Sequence, residues 1–137
     1  MRKLILSIIF LAMLFTACDS RENQVLKGFS NCEEYYSDGF QDYTDYCKYY
    51  YSKKEDEKFD ESHYYSIVTK ENIDNIKKYF NEFPSESIED SSMYDFDFTK
   101  ITEGDYYNIK EDSNDDNYSV YLYDSDEHVL YYIHYNR

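Results

Sequence analysis

The chain has 137 residues, enough for about one domain, with 14 Lys and Arg against 29 Asp and Glu and a formal charge of −15. That acidity excludes binding to a nucleic-acid backbone, which needs a basic face, and attraction by charge to an anionic membrane surface. No apolar run reaches the roughly 18 residues of a membrane-spanning helix.

The first eighteen residues carry the sharpest pattern. Met1-Arg2-Lys3 is a basic start, Leu4 to Leu14 is apolar except for Ser7, and Phe15-Thr16-Ala17-Cys18 follows. Basic residues, a short apolar stretch and a small residue at the cut are the parts of a secretory signal peptide. With Cys directly after Ala17, the segment resembles that of bacterial prolipoproteins. In that family the Cys is lipidated on sulfur and becomes the mature N-terminus; Phe15 stands where the family prefers Leu. The resemblance covers only this segment. It implies a signal peptide over 1–17, lipidation of Cys18, and anchoring to the bilayer on the outer side of the cytoplasmic membrane. A single acyl chain binds at about 10⁴ M⁻¹, whereas two hold a protein stably, and the family's diacylglyceryl group supplies two. Asp19 resembles the inner-membrane retention signal of enteric-type bacteria.

Residues 18–137 lose Arg2 and Lys3, so their formal charge is −17. Leu, Ile, Val and Phe make up just under one-fifth of them, a composition that leans toward disorder. Nineteen Tyr oppose this, because Tyr combines a large apolar body with a polar tip and can build a core when its hydroxyl finds a partner. The aromatics are spaced periodically, which predicts a folded domain over 31–137 preceded by a flexible tether over 18–30.

Ser30-Asn31-Cys32-Glu33 has the form of a capping box, and Cys32, Tyr36, Phe40, Tyr43, Cys47 and Tyr50 follow at steps of three and four. This predicts a helix over about 31–51, weakened only by Gly39. Residues 52–62 read as a charged loop and 63–68 as a short strand. Thr69 caps a second helix over 70–83, with Ile73, Ile76, Phe80 and Phe83 on one face and Pro84 as its stop. From residue 93 the period becomes two: Tyr94, Phe96 and Phe98 alternate with Asp95 and Asp97, and strands follow at 105–110, 118–123 and 128–135. Pairing 123 with 128 puts Tyr118, Val120, Leu122, Val129, Tyr131 and Ile133 on one face. Ser119, Tyr121, Tyr123, His128, Leu130 and Tyr132 share the other. The expectation is an α+β domain, two helices on an antiparallel, meander-type sheet of 4–5 strands.

Outside the cytoplasm the pair Cys32 and Cys47 suggests a disulfide. A continuous helix excludes it: fifteen residues at ~1.5 Å rise separate the two by about 22 Å, and a disulfide needs Cα atoms within roughly 7 Å. The capped helix with two reduced, buried thiols is the expected alternative.

Four constellations bear on chemistry. Cys32 at a helix start and His128 at a strand start follow the chain order of papain-like cell-wall peptidases. Glu33-Glu34, however, replaces that family's small pair and opposes a thiolate. Asp112-x-Asn114-x-Asp116 imitates the start of an EF-hand loop, but Asn117 and Tyr123 stand where Gly and Glu are needed. His63, His128 and His134 have no short zinc-ligand spacing. Tyr121, Tyr123, His128 and Tyr132 form a stripe that suits protein or glycan contact if exposed, and is core if covered.

The expected function is therefore non-catalytic binding by a membrane-anchored module with an acidic, Tyr-rich surface, with no cofactor. The charge favours a basic protein partner, since complementary fields steer association. Capture of a glycan or small ligand on the aromatic face is the alternative, and a cell-envelope thiol hydrolase a distant one.

Overall fold

The computed structural model describes residues 23–37, 43–112 and 117–137. The signal-like segment and Cys18 lie outside them. Six strands form one antiparallel sheet: β1 (Asn31–Tyr36), β2 (Tyr43–Tyr50), β3 (Ser66–Ile67), β4 (Tyr106–Glu111), β5 (Tyr118–Asp124) and β6 (Val129–Asn136). Their spatial order is β1-β2-β6-β5-β4-β3. Strands β3 to β6 are a meander, and the pair β1–β2 joins the free side of β6. Two short α-helices, α1 (Asp56–Glu61) and α2 (Ile73–Glu82), and four single 3-10 turns complete the regular elements among the described residues. The class is α+β, as the sequence predicts, with six strands in place of four or five.

The helix predicted over 31–51 is the principal correction. Its residues form β1 and β2, in the register Cys32↔Tyr49, Glu34↔Cys47 and Tyr36↔Asp45. Strand β2 lies inside the sheet between β1 and β6, and Tyr46, Cys47, Lys48 and Tyr49 are all buried, so both of its faces are covered. A strand covered on both faces has no clean two-residue period, and its apolar positions mimic a helical stripe. Cys47 is buried and in no disulfide, so it is not bonded to Cys32.

The second helix is observed at Ile73–Glu82, ending just before Phe83-Pro84. Asn72 rather than Thr69 holds the N-cap position; its Oδ1 accepts from Thr69 N at 2.8 Å. Ile76 and Phe80 are buried against the sheet, and full burial of each contributes about 1.5–3 kcal/mol. The charged segment 52–62 holds α1, whose one buried side chain is Phe59. The alternation of Tyr94, Phe96 and Phe98 is real but builds no strand. Two 3-10 turns flank an extended strap that lays these rings on the core.

The β5–β6 hairpin pairs Tyr123 with Leu130 and Asp124 with Val129, so the register differs by two residues from the expected one. A shift of two leaves every side chain on its predicted face. Val120, Leu122, Val129, Tyr131 and Ile133 pack with α2, the strap and Tyr46 on what we call face A. Tyr121, Tyr123, Leu130 and Tyr132 pack with Cys47, Tyr49, Tyr51 and Phe59 on face B.

Gln24 to Ser30, expected to be a flexible tether, are fastened to face B. Tyr65 and Tyr51 donate their hydroxyls to the carbonyls of Gln24 and Leu26, at 2.5 and 2.7 Å. Phe29 meets the rings of Tyr49 and Tyr51 edge-on, and Ser30 N donates to Tyr50 O at 2.7 Å. Gly28 has φ +114, which only Gly adopts freely. Three apolar residues in a polar stretch, Val25, Leu26 and Phe29, are the reason the segment docks.

A buried carboxylate ties two loops together. Asp105, 1% exposed, accepts from Ser125 N with one oxygen at 3.1 Å and from Thr102 N with the other at 2.9 Å. Burial pushes its carboxyl above the usual range, opposed by these backbone donors.

Candidate functional site

The side chains singled out in the sequence fall in different places. Tyr121, Tyr123 and Tyr132 are 0%, 0% and 4% exposed, so these rings build the face-B core and offer no contact surface. His128 occupies the turn before β6 with φ 58, a left-handed conformation tolerated by His better than by most residues. Its Nδ1 lies 2.9 Å from Asp56 Oδ1, the same oxygen that accepts the Tyr123 hydroxyl. This trio locks α1 to the β5–β6 turn. Cys32 sits within β1 and is disulfide-bonded, so the helix-start thiolate expected of a peptidase does not arise.

His63 is exposed beside Tyr64, while His134 contacts Tyr132 at 3.0 Å and lies 3.8 Å from Asp45. The three His therefore occupy separate places. Asp112 follows β4, and Asn114 and Asp116 of the calcium-like loop lie outside the described residues. Among the described residues no group of three or more His, Cys, Asp or Glu is placed to hold a metal ion.

Two polar assemblies stand out. On face A, Lys48 is 8% exposed and bonds Glu33 at 2.8 Å and Asp95 at 3.0 Å, while Tyr46 donates to Asp95 at 2.9 Å. Burial opposes the Lys48 charge, but the two carboxylates outweigh it and raise its pKa. The Lys48 hydrogen bond lowers the carboxyl of Glu33. For Asp95, burial acts upward and is outweighed by bonds from Lys48 and Tyr46. The cluster fastens the strap to β1 and β2; its groups are spent on one another.

The second is a cleft of about 640 Å³ on face A, between α2 and the far end of β4, β5 and β6. That volume lies within the roughly 300–1,000 Å³ of ligand-binding clefts. Registers build its floor: Glu111 pairs with Tyr118 and Tyr118 with Tyr135, so the three stand in one cross-strand row. Helical spacing builds its wall, since Asn75, Lys78, Tyr79 and Glu82 fall at i, i+3, i+4 and i+7. Tyr79 donates its hydroxyl to Glu111 and meets the Tyr118 ring edge-on at 5.0 Å. Tyr118 and Tyr135 are 5.8 Å apart. Burial, with Glu111 adding to it, pushes the Tyr79 hydroxyl up to about 12. Burial, with Tyr135 and Glu82, does the same to Tyr118. Both are neutral phenols at neutral pH. The cleft thus joins three aromatic rings to the carboxylates of Glu82, Glu111 and Asp112, with Lys78 as the one basic side chain of its lining among the described residues.

Sequence reasoning missed this cleft. The polar stripe of α2 was legible, but the row Glu111–Tyr118–Tyr135 depends on strand registers that no local pattern fixes. No protein-family model, curated protein or solved structure matches the chain.

Proposed function

We propose that the protein is a lipid-anchored, non-catalytic binding module, held outside the cytoplasm, that engages a basic protein partner. The observation that carries the binding reading is the aromatic and acidic cleft, which combines concave shape, flat rings and an excess of carboxylates on the face of a chain of formal charge −15. Anchoring rests on the prolipoprotein-like segment ending at Cys18. A lipid on that Cys would occupy its sulfur as a thioether, so the same sulfur could not also enter a disulfide. Intact mass before and after reduction distinguishes the two chemistries. The glycan alternative loses its support, because the rings proposed for it are inside the core.

The test has two arms. Cells fed a clickable fatty acid should label the wild-type chain and not Cys18→Ala, and the variant should leave the membrane fraction; an equally labelled variant would refute the anchor. Cross-linking on intact cells should capture a basic protein at low salt and lose it when salt is raised beforehand, because screening at high ionic strength weakens exposed charge pairs. Background capture alone would refute the binding reading.

A further inference from the structure

Resting on that reading, we propose that the cleft between α2 and the ends of β4–β6 is the recognition site, and that it takes an arginine side chain of the partner. The guanidinium would lie on the Tyr118 and Tyr135 rings with Glu82 as counter-charge.

Three features select this occupant. Tyr118 and Tyr135 line the cleft, and a cation over an aromatic face within about 6 Å is held by the ring quadrupole. Arginine combines a plane that stacks with a fork of donors that matches carboxylates, which the compact ammonium of lysine does not. The carboxylates are divided in role: Glu111 already accepts from Tyr79. Glu82 lines the helix wall of the same cleft. An anion would meet this field with the wrong sign, and an uncharged ligand would leave the carboxylates without a purpose in binding. Lys78, on the same wall as Glu82, would repel the incoming cation.

The probe is a fluorescent Ala-Arg-Ala-Arg-Ala peptide titrated into the purified full-length chain in detergent, beside its lysine and glutamine versions, with anisotropy as readout. The arginine peptide should bind, the lysine peptide several-fold more weakly and the glutamine peptide not at all. Tyr135→Ala and Glu82→Gln should each weaken binding about tenfold. Lys78→Ala should tighten it about threefold, a gain that a misfolded variant cannot produce. Absence of arginine-peptide binding overturns the proposal, as does equal binding by wild type, Tyr135→Ala and Glu82→Gln. If cells still yield a salt-sensitive basic partner while these variants leave its capture unchanged, the cleft assignment falls and the binding module stands. If no such partner is captured, the wider reading falls.

Discussion

Phe59 lies flat on Tyr123, with ring centroids 3.6 Å apart and planes 5° from parallel. Phe59 is the one buried side chain of α1, so the apolar part of that helix's docking on face B rests on it. Tyr51 and Tyr65 close on Phe59 edge-on, each at 5.1 Å.

Phe59→Ala should therefore cost about 3–5 kcal/mol, the range for a truncated aromatic in a core that cannot collapse. Phe59→Leu should cost less, since it keeps most of the volume. Urea midpoints at a constant slope would measure both. A loss under 1 kcal/mol in the alanine variant would show that α1 is dispensable to the fold.

The Lys48 cluster predicts an acid dependence. Glu33 and Asp95 have carboxyls below their ordinary values of 4.5 and 3.8 in the folded chain. A lowered folded pKa stabilises above the unfolded value and is lost as pH falls through the folded one. Stability should thus decline as pH drops from about 5 toward 3. Lys48→Met should flatten that decline while costing about 1–2 kcal/mol at neutral pH, less than a fully buried pair because Asp95 is 59% exposed. Thermal melts across pH compare the two slopes; equal slopes would dismiss the cluster as their source.

Asp105 acts with the opposite sign, since its folded carboxyl is raised. Its contribution is favourable in acid and declines as pH rises above the unfolded value. Asp105→Asn removes that term but turns one acceptor into a donor facing the Thr102 or Ser125 amide. A net loss of about 1–3 kcal/mol at neutral pH is expected. Gain of stability in calorimetry would mean that relief of the buried charge outweighs the two loop contacts.

Gly28→Ala should cost about 1–2 kcal/mol from its positive φ alone. An added Cβ would also stand 2.5 Å from Glu55 Oε2. The damage should be local: amide exchange should accelerate over residues 24–30, while β5 and β6 stay protected. Uniform acceleration through the sheet would make residues 24–30 part of the folding core rather than a docked segment.

How far the sequence reaches is clear from particular residues. Ile73, Ile76, Phe80 and Phe83 disclosed α2 because one face of it is buried and the other wet. The faces of β5 and β6 were legible because alternation survives a register error of two. Residues 31–51 misled because β2 is covered on both sides by partners far along the chain, so its Tyr-rich run kept no period of two. Phe59 alone in a charged segment gives no period at all, and α1 went unseen. Of the cleft, only the wall Asn75, Lys78, Tyr79 and Glu82 was available locally; its floor exists only once β4, β5 and β6 are in register.

The fastening of Gln24 to Ser30 also sets a height. With a lipid on Cys18, only six peptide steps separate the anchor from Gln24, a reach of about 20 Å at full extension. The domain is then moored close above the bilayer, with residues 24–30 and α1 on its mooring side and the cleft on the opposite face of the sheet. A partner would have to come down to that narrow layer, so proteins already confined to the same membrane surface would meet the cleft far more often than those passing freely above it.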